Sequence, residues 1–242
     1  MTLRELQDAL WAAADRGHPA TFWLRDDDAT EPSARLDTLL AMTARHAVPV
    51  TLAVIAARSG QALADRLTGD PGICVAVHGW AHRNHAGPEE KKQELGPHRP
   101  AGVVLDELSR GLRHLQGLHG TQFVPVLVPP WNRIHPDIVR GLPELGYAAL
   151  SVFGPEKPAP LRLLNTHVDL IDWRGSGRAK DGDTLLAEIV LALRRDAPVG
   201  LLTHHLIHDA GAWAAVERLL ALTSGLGGAR WSGLPLLLAA RQ

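Results

Sequence analysis

Short apolar runs alternate with amphipathic stretches along the chain. Leu3, Leu6, Leu10 and Ala13 share one helical face at the start. An apolar run at Thr21–Leu24 follows and halts at the charged cluster Arg25-Asp26-Asp27-Asp28. Glu31-Pro32-Ser33 is a helix-start signal ahead of inward-facing Leu36, Leu39 and Leu40. Val48–Ile55 reads as a fully buried strand, Ser59–Leu67 as a helix and Ile73–Val77 as a third strand. A polar stretch from Gly79 to Gly102 then breaks the rhythm. Stretches this long are uncommon in compact domains and serve as a lid over a site or as a surface insertion. Beyond it, Val104, Leu105, Leu108, Leu112 and Leu115 mark a helix, Phe123–Val128 a fourth strand, Pro136–Leu145 a helix and Tyr147–Val152 a fifth strand. Thr166–Ile171 is a sixth strand, and Leu185, Leu186, Ile189 and Leu193 form another helix. Val199–Thr203 is a seventh strand, and Trp213, Val216, Leu219 and Leu220 mark a late helix.

Apolar strands alternating with amphipathic helices predict an α/β protein with a parallel sheet covered by helices. Seven strands, with no Gly-x-Gly-x-x-Gly turn after the first, favour a barrel over a dinucleotide-binding sheet. No repeat, low-complexity tract or linker divides the chain, so residues 1–242 are expected to form a single domain.

Composition narrows the function. The chain is 45% hydrophobic and carries 25 basic against 26 acidic side chains, a formal net charge of −1. That balance argues against a nucleic-acid binder or a polybasic membrane surface. Cys74 is the single cysteine, so no internal disulfide forms. The first residues lack a basic leader with an apolar core, and no window holds about 18 consecutive apolar residues. The expectation is a cytoplasmic protein without a membrane span. There are 13 histidines, whose positions matter more than their number.

In parallel barrels the working face is built from loops at the C-terminal ends of the strands. Strand one ends in Arg25-Asp26-Asp27-Asp28, and strand three in His78-Gly79-Trp80-Ala81-His82. Strand four ends in Pro129-Pro130-Trp131-Asn132-Arg133, strand six in Asp172-Trp173-Arg174, and strand seven in His204-His205. Five of seven strands therefore deliver carboxylate, imidazole, indole or guanidinium to one rim. His78 and His82 are four apart, so one helical turn would put both rings on one side. With a strand-one carboxylate they make a two-histidine, one-carboxylate set with room for water, the donor set of a catalytic zinc-like site. Such a set suits a divalent metal, zinc first, with cobalt, nickel or iron also compatible. His-x-x-x-His alone is weak, an acidic triplet is commonly a solvated turn or helix cap, and His204-His205 could be satisfied core residues. Their joint placement at strand ends is the stronger signal.

The residues in this order resemble the polysaccharide deacetylases, carbohydrate esterase family four. Arg25-Asp26-Asp27-Asp28-Ala29 is similar to the family's Thr-Phe-Asp-Asp-Gly, which implies Asp27 as general base and Asp28 as metal ligand. His78-Gly-Trp-Ala-His82 resembles His-(Ser/Thr)-x-x-His, with Gly79 in place of the hydroxyl residue. Val128-Pro-Pro-Trp131 resembles Arg-x-Pro-Tyr, and Asp169-Leu-Ile-Asp172-Trp173 resembles the family's Asp-x-x-Asp-Trp-like segment. Leu202-Thr-His204 resembles Leu-x-His, which implies Leu202 as a pocket wall and His204 as general acid. The resemblance spans Thr21 to Asp209 and implies a distorted (β/α)7 barrel with a divalent metal on Asp28, His78 and His82.

The implied reaction removes an acetyl group from amide nitrogen. Asp27 takes the proton of a metal-activated water, and a backbone N–H near strand four helps to stabilise the oxyanion. His204, oriented by Asp172 or Asp169, protonates the departing amine. Val128 stands where the family has its base-tuning arginine, leaving Arg25 and Arg133 as candidates to supply that charge. The register of Asp26-Asp27-Asp28 can shift by one, and His205 is an alternative acid. Trp80, Trp131 and Trp173, with Pro130, would wall the pocket or stack on a sugar. The substrate is expected to be a small carbohydrate or amide. The alternatives are a hydrolase of a non-sugar amide and a non-catalytic metal- or carbohydrate-binding relative.

Overall fold

The computed structural model describes residues 3–195 and 197–240. The single-domain expectation also covers residues 1, 2, 196, 241 and 242, which lie outside the described residues. The longer helices are α1 (Leu3–Asp15), α2 (Ala34–Arg45), α3 (Gln61–Leu67), α4 (Ala101–His119), α5 (Pro136–Gly141), α6 (Gly182–Leu193), α7 (Ala210–Gly225) and α8 (Leu234–Ala239). The strands are β1 (Ala20–Ala29), β2 (Val50–Val54), β3 (Ile73–Val77), β4 (Phe123–Leu127), β5 (Ala149–Leu150), β6 (Arg162–Leu163), β7 (Val168–Asp169), β8 (Val199–Thr203) and β9 (Ala229–Trp231). Every strand pair is parallel, in the order β6-β5-β4-β3-β2-β1-β8-β7, with β9 beside the start of β1.

The sheet curls into a distorted (β/α)7 barrel because β6 and β7 are two halves of one segment. The Leu164 and Thr166 N–H groups donate to Leu150 and Val152, while those of His167 and Leu170 donate to Gly200 and Leu202. The segment thus bridges β5 to β8. It presses so close to β8 at Gly200 that a Cβ there would lie 2.5 Å from the Asn165 carbonyl oxygen. Outward-facing apolar residues such as Leu24, Val75 and Leu201 pack under the amphipathic helices. A second cluster of small residues, among them Ala53, Cys74, Ala76 and Ala149, packs with Trp23 against Leu234 and Leu237 of α8. Among the described residues, no helix is long and apolar enough to cross a membrane.

Two elements differ from expectation in a way that matters for the rim. Strand one does not stop before the acidic triplet: β1 runs on through Asp26-Asp27-Asp28 to Ala29. The charges are tolerated because each has a partner: Asp26 has Thr203 of β8, Asp27 has Arg25 of β1 itself, and Asp28 has His78 after β3. His78 and His82 are not on a helix; His78 follows β3, and the chain turns back through left-handed residues at Gly79 (φ 59°) and His82 (φ 54°).

Candidate metal centre and cleft

Alternation along β1 puts Arg25 and Asp27 on one face and Asp26 on the other. Between Asp26 and Ala29 the strand carries one residue more than β2 does between Leu52 and Val54, which is a β-bulge. Asp28 sits in that bulge with φ 74°. The extra residue turns its carboxylate to the side that Asp27 already faces, so both line one open cleft of about 1030 Å³ with His78, His82, Trp131, Asp169, Trp173 and His204.

Asp28, His78 and His82 converge. One donor atom from each lies within 4.8 Å of the others. Asp28 Oδ1 is 3.1 Å from His78 Nε2 and 3.3 Å from His82 Nε2. His78 Nδ1 lies 2.9 Å from the Val128 carbonyl oxygen and donates to it, which orients the ring and turns Nε2 to Asp28. Burial works to lower the His78 pKa, but Asp27 and Asp28 outweigh it and raise it, so Nε2–H donates to the Asp28 carboxylate. Burial works to raise the Asp28 pKa, but the hydrogen bond to His78 and the nearby imidazoles outweigh it and hold the carboxyl well below its usual range. Burial, then His78, lowers the pKa of His82. An anionic carboxylate and two imidazoles whose outer environment is already set fit a divalent cation of borderline softness. His82 is held in turn against Trp131, with ring centroids 4.3 Å apart.

Asp27 sits against a buried guanidinium. Arg25 Nη2 donates to Asp27 Oδ2 at 3.1 Å and to Asn132 Oδ1 at 2.8 Å, and Arg25 Nε lies 2.9 Å from Asp27 Oδ1. Arg25 Nη1 donates to Ser151 Oγ at 2.7 Å and to its carbonyl at 3.1 Å. Arg133 lines the cleft, but its guanidinium donates to the Lys92 carbonyl at 2.7 Å. Of the two arginines, Arg25 is the one on Asp27.

Asp26 has a different set of partners. It accepts from Thr203 Oγ1 at 2.8 Å and from the His205 N–H at 2.9 Å, and it pairs with His205 Nδ1. Burial opposes this charge, but His205 and Thr203 outweigh it and Asp26 stays ionised; Asp26 in turn raises the pKa of His205 against burial. His205 is fully buried and does not line the cleft, whereas His204 does.

Other expectations land elsewhere. Asp172 does not orient His204; its carboxylate accepts from the N–H groups of Gly175 and Ser176 and shapes its own turn. Asp169 faces the cleft, accepting from Trp173 Nε1 and the Ile171 N–H, both at 2.9 Å. Burial raises its pKa, with His204 pulling the other way. Trp173 presents its edge to His204 at 4.9 Å, while Trp80 packs beneath the Arg110 guanidinium of α4 and does not line the cleft. Leu202 is not a cleft wall either. It is buried in register with Arg25 and Asp169, facing the barrel interior. Pro130 is buried against Gly79. Residues 83–102 of the Gly79–Gly102 stretch do not line the cleft in this structure.

Three residues at the site were not expected from sequence, and a fourth, Asn132, was expected only as part of the strand-four rim. Ser151 and Asn132 seat Arg25, Phe153 is 43% exposed on the cleft rim, and Glu94 binds the turn that carries His82. Phe153 directly follows the expected strand end at Val152, whereas Ser151 was hidden inside it because β5 stops at Leu150. Glu94 lies in a polar stretch with no such signal.

Fold and cleft together define a parallel-barrel protein with a candidate cation centre at the C-terminal rim. The sequence matches no protein-family model and no curated protein. Solved structures are similar. A family 4 carbohydrate esterase from Streptomyces lividans, in complex with acetate, is 18% identical with a TM-score of 0.59, covering 88% of this chain and 92% of its own. A family 4 acetyl xylan esterase from Clostridium thermocellum, in complex with cobalt, is 16% identical with a TM-score of 0.57, covering 90% of both chains. A peptidoglycan N-acetylglucosamine deacetylase is 17% identical with a TM-score of 0.58, covering 95% of this chain and 97% of its own. The chain therefore has the fold of the family-four carbohydrate esterases.

Proposed function

We propose that the protein is a divalent-metal-dependent hydrolase that removes an acetyl or similar acyl group from the nitrogen of a small N-acylated sugar or related amide. The observation that carries this reading is one cleft lined by the Asp28–His78–His82 cluster, a separate carboxylate, Asp27, and an imidazole, His204. The whole chain serves that cleft as a single domain. Asp28, His78 and His82 would hold the cation, zinc in the first instance. When bound, it supplies Lewis-acid polarisation of the acyl carbonyl and makes water a better nucleophile at neutral pH.

The chain's residues do the rest. Asp27 accepts the proton of the attacking water, and Arg25 fixes the orientation of that carboxylate. One backbone N–H in the loop after β4 would stabilise the charge that develops on the carbonyl oxygen. Trp131 supplies the candidate, because Pro129 and Pro130 have no N–H and those of Val128, Asn132 and Arg133 donate to carbonyls. His204 hands a proton to the departing amine, with Asp169 and Trp173 beside it. Trp131, Trp173 and Phe153 give the sugar flat apolar surface. The similar structures include a peptidoglycan N-acetylglucosamine deacetylase and an acetyl xylan esterase in complex with cobalt, and both support this reading.

Asp27→Asn and His204→Ala separate chemistry from architecture. Each variant is expected to keep its fold and its metal, measured by circular dichroism and metal mass spectrometry. Each should also lose about 100-fold or more in acetate release. Wild-type turnover in either variant removes that residue from its role.

A further inference from the structure

Residues 83–102 do not line the cleft, yet they send Glu94 and Leu95 inward. Glu94 is 1% exposed, and its carboxylate lies under the turn between His78 and His82. The Ala81 and Arg83 N–H groups donate to Oε1 at 2.7 and 3.4 Å, and the Trp80 N–H donates to Oε2 at 3.1 Å. These amides flank His82 on both sides. Successive N–H groups turned to one point by left-handed residues form a concave anion site, and here its anion is internal. Gly79 makes the arrangement possible. A Cβ at that position would lie 2.1 Å from Glu94 Oε2 and 2.7 Å from Pro130 Cγ, and φ is 59°. The stretch itself is anchored: the His135 N–H donates to the Leu95 carbonyl, Leu95 is fully buried, and Arg99 donates to the Glu94 carbonyl and to both Glu107 oxygens.

We propose that Glu94 is a positioning residue of the metal centre: its carboxylate, in the space left by Gly79, holds the 80–83 backbone so that His82 meets Asp28 and His78. The left-handed backbone of His82 (φ 54°) is unfavourable for a residue with a Cβ and persists only where surrounding bonds enforce it. Three charge-assisted hydrogen bonds from its neighbours do so. The long polar stretch then has a structural purpose, which is to deliver one buried carboxylate to the back of a ligand turn. Gly79 and Glu94 act as a pair: the space opened by one is filled by the other.

This proposal rests on the reading of Asp28, His78 and His82 as metal ligands, and its test keeps the two apart. Zinc binding to chelator-stripped full-length protein is titrated calorimetrically for wild type, Glu94→Gln, Gly79→Ala and the control Glu90→Gln. Glu90 is an exposed acid of the same stretch that caps Gly87 and pairs with His98. Glu94→Gln keeps the volume but loses one acceptor, and Gly79→Ala displaces the carboxylate in a chain where Glu94 is intact. Both are expected to bind zinc about 10- to 100-fold more weakly, the range for lost partners of metal ligands, while Glu90→Gln binds as wild type. The visible spectrum of the cobalt-loaded protein should shift in the first two variants, because ligand geometry changes. Wild-type affinity and spectrum in folded Glu94→Gln or Gly79→Ala overturn the proposal. Equal weakening in Glu90→Gln also overturns it, since the effect would then be general loosening of the stretch. A wild type that binds no zinc instead removes the metal reading beneath it.

Discussion

Three consecutive aspartates on β1 have three different environments, and the environments assign different work. Asp26 is consumed by Thr203 and His205, Asp27 by Arg25, and Asp28 by two imidazoles. Asp26→Ala should therefore cost stability rather than chemistry alone, because it leaves His205 buried without its counter-ion. A loss of about 3–5 kcal/mol is expected in urea unfolding. A stability near wild type would show that the buried pair contributes little. Arg25→Lys gives a complementary result. An ammonium lacks the planar fork that serves Asp27, Asn132 and Ser151 together. We expect kcat to fall by up to about 100-fold through a misplaced Asp27, with bound metal unchanged; unchanged kcat would remove Arg25 from the site. The triplet's importance was legible in sequence, as was its closeness to two histidines. Which aspartate does what was not legible, because it depends on a bulge and on partners up to 179 positions away.

Among elements, the helices and long strands followed their hydrophobic pattern closely, since periodicity reports burial directly. The pattern failed where burial and polarity part company. β1 continues through four charged residues because β2 and β8 pair with Arg25 and Asp26, and a bulge carries Asp27 and Asp28 on to Ala29. β6 and β9 are two and three residues long, too short for a periodic signal, and α8 begins on Leu234-Pro235 and is nearly all apolar. The end of α4 supplies a test of pH dependence away from the cleft. His119 is buried with neither ring nitrogen hydrogen-bonded, and burial, then His114, pushes its pKa down to about 4 from 6.5. Its folded pKa lies below its unfolded one, so the unfolded chain takes up the proton first. The neutral ring's stability contribution is whole above pH 6.5 and is lost as pH falls from there to about 4. The loss reaches roughly 3 kcal/mol at most. Urea midpoints measured across that interval should fall more steeply for wild type than for His119→Leu, and parallel curves would contradict the assignment.

At the scale of the molecule, barrel closure decides what the strand ends can do. The segment from Arg162 to Leu170 ties β5 to β8, bringing the Asp169–Trp173 loop and His204 around to the cleft that Asp27, Asp28 and the two histidines line. A parallel barrel with a polar C-terminal rim followed from the order of strands and the residues after each one. Closure through a split strand did not, because it is held by backbone hydrogen bonds whose one sequence requirement is the glycine at position 200. The central claim is that this rim is a metal-dependent N-deacylating site, and acetate release tests it most directly. N-acetylated glucosamine oligomers and small N-acetyl amides are offered to the chelator-stripped protein, then to the same sample after zinc or cobalt is returned. Acetate should appear from the sugars only when metal is restored, and should fail to appear in His78→Ala and His82→Ala. Acetate release that survives chelation, or none from any N-acyl compound by fully metal-loaded wild type, would contradict it.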